Sequence, residues 1–124
     1  MRQPDELSPE PVFNLSELLE RVDNDSELLR EVIGICKAEI PRNIPLLREA
    51  VAQVDVKAVE NLGHTLKGML LHLAATRAAA AAGRLEQLGR SGDTTTLGSA
   101  VAIFESEVAK LMTELEAYTA KIHP

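Results

Sequence analysis

Tryptophan is absent from this chain of 124 residues, and aromatic side chains make up 2% of it. Its core must therefore come from aliphatic residues. Ala and Leu are the plentiful candidates, which favours helices packed closely through small side chains. Cys36 is the single cysteine, so no intrachain disulfide can form, which fits a reducing compartment. No apolar run approaches the length of a membrane span, and the stretch from Met1 to Pro11 lacks a signal peptide's apolar segment. Positive charge is in deficit, with 13 Lys and Arg against 19 Asp and Glu and a formal net charge of −6. Nucleic-acid affinity comes largely from Lys and Arg on phosphates, so nucleic acid and anionic membrane surfaces are poor partners. A glycine-rich phosphate loop is missing, so ATP binding and kinase activity are not expected. Nor does the sequence show a cysteine cluster or a compact carboxylate–histidine cluster, so no metal site is expected. A cytoplasmic location follows from these absences.

What is present describes one domain. The apolar content of 45% is that of a globular chain, and the length suits one core. Residues 1–12 carry Pro4, Pro9 and Pro11 and read as a disordered leader or linker; residues 13–124 read as the domain. Asn14 followed by Glu17 predicts a capping box, with Phe13 and Leu18 as its hydrophobic staple. A short helix through Val22 then places Leu15, Leu18, Leu19 and Val22 on one side. After the turn Asp23-Asn24-Asp25, apolar residues recur at Leu28, Val32, Ile35, Cys36, Ile40, Ile44, Leu47 and Val51, the spacing of an amphipathic helix. Pro41 and Pro45 interrupt it, each costing about 3 kcal/mol in a helix interior. The stripe stays in phase across both, which favours one kinked helix over two broken near Pro41.

Asp55 caps a third helix with a core arc of Val59, Leu62, Leu66, Met69, Leu70 and Leu73. Its opposite arc holds Lys57, Glu60, Asn61, His64, Lys67, Gly68 and Leu71. A fourth helix runs from about Ala75 to Arg90, with Ala78, Ala81, Ala82, Leu85 and Leu88 inward and Arg77 and Arg84 solvated; Ser91-Gly92-Asp93 closes it. The last helix has the strongest pattern: Leu97, Val101, Phe104, Val108, Leu111, Leu115, Tyr118 and Ile122 alternate steps of four and three, as in bundle packing. Short loops between long helices imply antiparallel neighbours. The expected fold is all-α, an antiparallel up-down four-helix bundle with a short extra N-terminal helix across one end.

One turn carries chemistry. On a helix, Lys67 and Gly68 lie three and four residues after His64 and share its face, while Leu66 points roughly the opposite way. An outward imidazole beside a cation, with no side chain blocking access, suits the transient holding of a phosphoryl group. Neutral imidazole is a nucleophile near pH 7, and phosphoryl transfer needs in-line approach and charge stabilisation more than elaborate covalent chemistry. An ordinary surface histidine is the bland alternative. The mid-helix Gly68 weighs against it, because glycine there costs about 1 kcal/mol relative to alanine and some close approach would offset that. His72 lies about 12 Å along the axis from His64, too far for the two to share a metal as a simple pair. It reads as a helix-end residue at the rim of a docking face, and His123 as inert. Cys36 reads as a small buried apolar residue.

The stretch Leu62-Gly63-His64-Thr65-Leu66-Lys67-Gly68 resembles the signature of histidine-containing phosphotransfer (Hpt) domains. The likeness extends over nearly the whole ordered chain: Phe13-Asn14-Leu15 through Leu28-Leu29-Arg30 resembles the family's opening, and Ala74-Ala75 through Gly92-Asp93 the helix after the motif. Met69 stands where the family usually has a small residue, and Ala74 where it often has glycine. The resemblance implies that His64 is phosphorylated, on Nε2, by an aspartate of a response-regulator receiver domain and passes the group to another receiver. It implies that Lys67 neutralises phosphate charge, that Gly68 gives the receiver access, and that the receiver brings Mg²⁺, with no cofactor bound by this domain. Lys57, Glu60, Asn61, Leu71 and His72 would surround the docking site. A hybrid sensor histidine kinase is a further candidate partner, and a monomer is expected. The rival class is a non-catalytic helical interaction domain that binds a receiver or sensor without taking phosphate.

Overall fold

A computed structural model of the chain describes residues 11–122. Most of the leader and His123 lie outside the described residues. Among those described there are five helices and no strand: α1 (Leu15–Arg21), α2 (Ser26–Ala52), α3 (Val56–His72), α4 (Thr76–Ser91) and α5 (Leu97–Ile122). α3 packs on α2 and α4, and α5 packs on α4 and α2, so four helices close a ring around one core.

Three helices start at side-chain caps, and the sequence placed those at Asn14 and Asp55. Asn14 accepts from Glu17 N–H, Asp25 from Glu27 and Leu28 N–H, and Asp55 from Ala58 N–H. The predicted capping box is only half formed. The Glu17 side chain pairs with Arg21, and Asn14 N–H donates to the Ala74 carbonyl at 2.9 Å, tying the α1 entry to the end of α3. Phe13 meets Tyr118 edge-on, with centroids 6.2 Å apart.

Four helices end in the same hydrogen-bonded turn. The amides of Asn24, Asp55, Ala75 and Asp93 reach back five residues to the carbonyls of Leu19, Ala50, Leu70 and Leu88. Such a turn needs a left-handed residue, and the chain uses Asp23 and Asn24, Val54, Ala74 and Gly92. Asp, Asn and Gly adopt that conformation readily; a β-branched residue does not. Val54 has φ 53° and is 59% exposed, so little packing offsets its strain. Val54→Gly is expected to raise stability by about 0.5–1 kcal/mol, read as a higher urea midpoint with an unchanged slope.

α2 is one continuous helix through both prolines. Pro41 and Pro45 are exposed, four residues apart on one face, so the carbonyls they leave without an amide partner turn toward solvent. The buried stripe of α2 is Leu29, Ile33, Cys36, Ile40, Leu47 and Ala50, which corrects the predicted one at its start. Leu28 and Ile35 are 41% and 62% exposed. The doublets Leu28-Leu29 and Val32-Ile33 offered two phases, and packing against both α3 and α5 selected the second. Leu15 of α1 is likewise exposed rather than inward. On α5 the predicted residues Leu97 through Leu115 are all buried and Tyr118 is half-buried.

The tightest seam joins α3 to α4. A Cβ on Gly63 would stand 2.7 Å from Glu86 N, and one on Gly89 would stand 2.5 Å from Glu60 N and 2.6 Å from the Val56 oxygen. Both glycines let backbone lie against backbone. This brings position 86 of α4 beside the turn of α3 that carries His64.

Candidate functional site

His64 sits mid-way along α3 with its side chain 70% exposed. Its Nδ1 lies 3.0 Å from Oε2 of Glu86, across the seam on α4. Glu86 is only 5% exposed, the single buried charged residue among those described, and its carboxylate is fully engaged. Lys67 Nζ is 2.7 Å from Oε1, and Arg90 Nη2 donates to Oε2 at 2.9 Å. Arg90 Nε also donates to Glu60 Oε2 at 3.0 Å, and Lys57 Nζ is 3.4 Å from Glu60 Oε1. The charges form a ladder over the seam: Lys57, Glu60, Arg90, Glu86, then His64 and Lys67.

Buried carboxylates survive only when paired and hydrogen-bonded. Glu86 meets that condition, and the Lys67 ammonium holds its carboxyl below the usual carboxylate range, with His64 adding to the effect. The Arg90 guanidinium does the same for Glu60. An ionised carboxylate only accepts hydrogen bonds. The proton of the neutral imidazole therefore belongs on Nδ1, facing Glu86, which leaves the Nε2 lone pair directed away from α4.

Gly68, one turn on, has no atom within 4 Å of where its Cβ would stand. Its absent side chain serves no packing inside the bundle and leaves open surface beside the imidazole. Leu71, 45% exposed, lines a groove with Lys67, Gly83, Glu86, Gln87 and Arg90 on the α4 side. His72 belongs to a different groove on the α2 side, with Leu18, Val32, Ile35 and Met69. Asn61 is exposed beside Leu46 and Glu49. Lys57 is exposed, but Glu60 is half-buried and taken up by Arg90 and Lys57.

The family model of the Hpt domain matches residues 31–118. The chain belongs to the Hpt domain family. Hpt domains are phosphotransfer modules of two-component signalling and work with receiver domains. No curated protein and no solved structure matches the chain. No helix among the described residues is long and apolar enough to cross a membrane, and no group of three metal-ligating side chains occurs among them.

Two members of this Hpt domain's charged ladder are missing from the sequence reading. Glu86 was concealed in the apolar stripe of α4, four residues after Ala82, and no carboxylate–histidine cluster was expected there. The available signal was a charge on the inward phase, which requires a buried partner. Arg90 follows four residues later on the same face as Glu86. Arg77 also departs from expectation: it is half-buried, and its Nη2 donates to Glu107 of α5 at 3.1 Å. Cys36 is buried as expected, and burial pushes its thiol up.

Proposed function

We propose that His64 is the phosphoryl acceptor of a phosphorelay, taking the group from a receiver aspartate and giving it to another receiver. The observation that carries this reading is the bond from His64 Nδ1 to the buried Glu86 carboxylate, 3.0 Å, which aims Nε2 at solvent. In the forward step Nε2 attacks the phosphorus of the receiver's acyl phosphate. The N–P bond forms as the P–O bond to the aspartate breaks, and the aspartate carboxylate leaves with the electron pair. The Nδ1 proton stays in place against Glu86, whose negative charge balances the ring that becomes cationic. Lys67 reaches the phosphate oxygens from the neighbouring turn by loosening its hold on Glu86 Oε1. Mg²⁺ comes with the receiver. Passing the group onward is the reverse sequence with a second aspartate.

The remainder of the reading is a single domain over residues 13–124, monomeric and cytoplasmic. Its four long helices run up and down with antiparallel neighbours, a topology supported by the short turns and the closed ring of contacts. Receivers dock over Lys57, Asn61 and Leu71 around the imidazole, with Glu60 held in the ladder beneath and His72 at the rim, in the groove on the α2 side. The domain has no kinase activity of its own.

The reading is tested by incubating the chain with a phosphorylated receiver and Mg²⁺. Intact mass and phosphorus NMR should show one acid-labile, alkali-stable phosphate, on Nε2 of His64. Absence of uptake from receivers that donate to a known Hpt control would favour the interaction-only domain. A second result separates access from folding. Gly68→Ala is expected to raise stability by about 0.5–1 kcal/mol while slowing uptake, because the new methyl group meets the receiver and nothing in this chain.

A further inference from the structure

Glu86 Oε2 has two partners that differ in kind: His64 Nδ1 at 3.0 Å and Arg90 Nη2 at 2.9 Å. They share one oxygen, so charge drawn from it by the guanidinium is charge withheld from the imidazole. Arg90 is itself held from the other side, through Nε, by Glu60. Its side chain is 62% exposed, so it contributes little to the core. Nothing in the phosphoryl-transfer step requires its contact with Glu86.

We propose that Arg90, tethered by Glu60, is a positioning residue that sets the basicity of His64 by competing for Glu86 Oε2. The inference rests on the relay reading for its biological use, but its physical content does not. With Arg90 in place, part of the Glu86 charge is drawn to the guanidinium and less of it acts on Nδ1–H. Without it, the full carboxylate charge falls on Nδ1–H and favours the cationic ring. The phosphorylated ring with its proton on Nδ1 is also cationic, so the same change favours phosphohistidine over the receiver's acyl phosphate. Arg90 thereby holds the phosphoryl group's free energy on His64 high enough for onward transfer. The other charges on this side are Lys67, Glu60 and Lys57 on the same helix and Arg84 of α4, which lines the groove with Lys67, Glu86 and Arg90. On the α2 side Glu49 lies in the groove with Ala58 and Asn61, and Asp55 caps α3.

The test is a double-mutant cycle on the unphosphorylated chain, read by NMR titration of the His64 ring. Arg90→Gln is expected to raise the His64 midpoint by about half a pH unit or more. In a Glu86→Gln background, where the oxygen no longer carries charge, the same replacement should move it much less. Glutamine keeps the shape of Glu86, and amide spectra report whether each variant is folded. An equal rise in both backgrounds would mean that Arg90 acts through space alone and would overturn the proposal, as would no rise in either. With a cognate receiver, Arg90→Gln should also shift the phosphoryl equilibrium at least threefold toward His64. A midpoint shift together with no phosphorylation of any variant would sink the relay reading and leave the coupling standing.

Discussion

His64→Gln is expected to abolish phosphoryl uptake and to leave stability unchanged within about 0.5 kcal/mol. Both halves follow from position. The side chain is 70% exposed and its one strong partner is Glu86, so the change removes almost no buried surface. Glutamine can still donate an amide hydrogen to Glu86 Oε2, and Lys67 and Arg90 remain in place, so the buried carboxylate keeps its partners. What disappears is the only nucleophile on that face. Lys67 cannot replace it, because its ammonium carries no lone pair while paired with Glu86. Uptake is checked by intact mass after incubation with a phosphorylated receiver, and stability by urea unfolding of the same preparation. Residual phosphate at the wild-type level would place the acceptor elsewhere.

Gly89→Val is expected to destabilise the domain by about 3 kcal/mol or more. The added Cβ would stand 2.5 Å from Glu60 N and 2.6 Å from the Val56 oxygen. Both atoms belong to the α3 backbone, which cannot rotate aside as a flexible side chain would. The gain in helix propensity over glycine is well under 1 kcal/mol for valine and does not offset a forced separation of two helices. Gly63→Ala meets the α4 backbone at 2.7 Å and pushes at the level of Glu86 itself. That variant should lose stability and, in whatever fraction folds, accept phosphate more slowly, because Glu86 is displaced from Nδ1. Denaturation midpoints compared across Gly63→Ala, Gly89→Val and Gly68→Ala test the packing: the first two fall and the third rises. An unchanged midpoint for Gly89→Val would mean that α3 and α4 do not touch there.

The three glycines show how far the sequence could be read. Gly68 stood out because it shared a face with His64 and Lys67, and the open space around it agrees with that placement. Gly63 entered only as a member of the stretch Leu62 to Gly68, and nothing in the local pattern marked Gly89. A glycine that admits another backbone differs from one that admits solvent only in what stands opposite, and that lies on a different helix. The stripe of α2 failed for a related reason. Leu28 and Leu29 are equally apolar, and only the directions of α3 and α5 decide which of them is covered.

By itself the sequence determined the five helices, the caps at Asn14 and Asp55 and the outward face carrying His64, Lys67 and Gly68, and it favoured one helix through Pro41 and Pro45 without deciding it. Each of these depends on neighbours within about four residues, where helix geometry fixes who faces whom. The tertiary structure alone decided the partners of that face. Glu86 stands 22 residues from His64 in sequence and 3.0 Å from it in space, brought there because two glycines let α4 lie against α3. The exposed histidine is written in one helix; the buried charge that fixes its proton on Nδ1 comes from another, and only packing joins them.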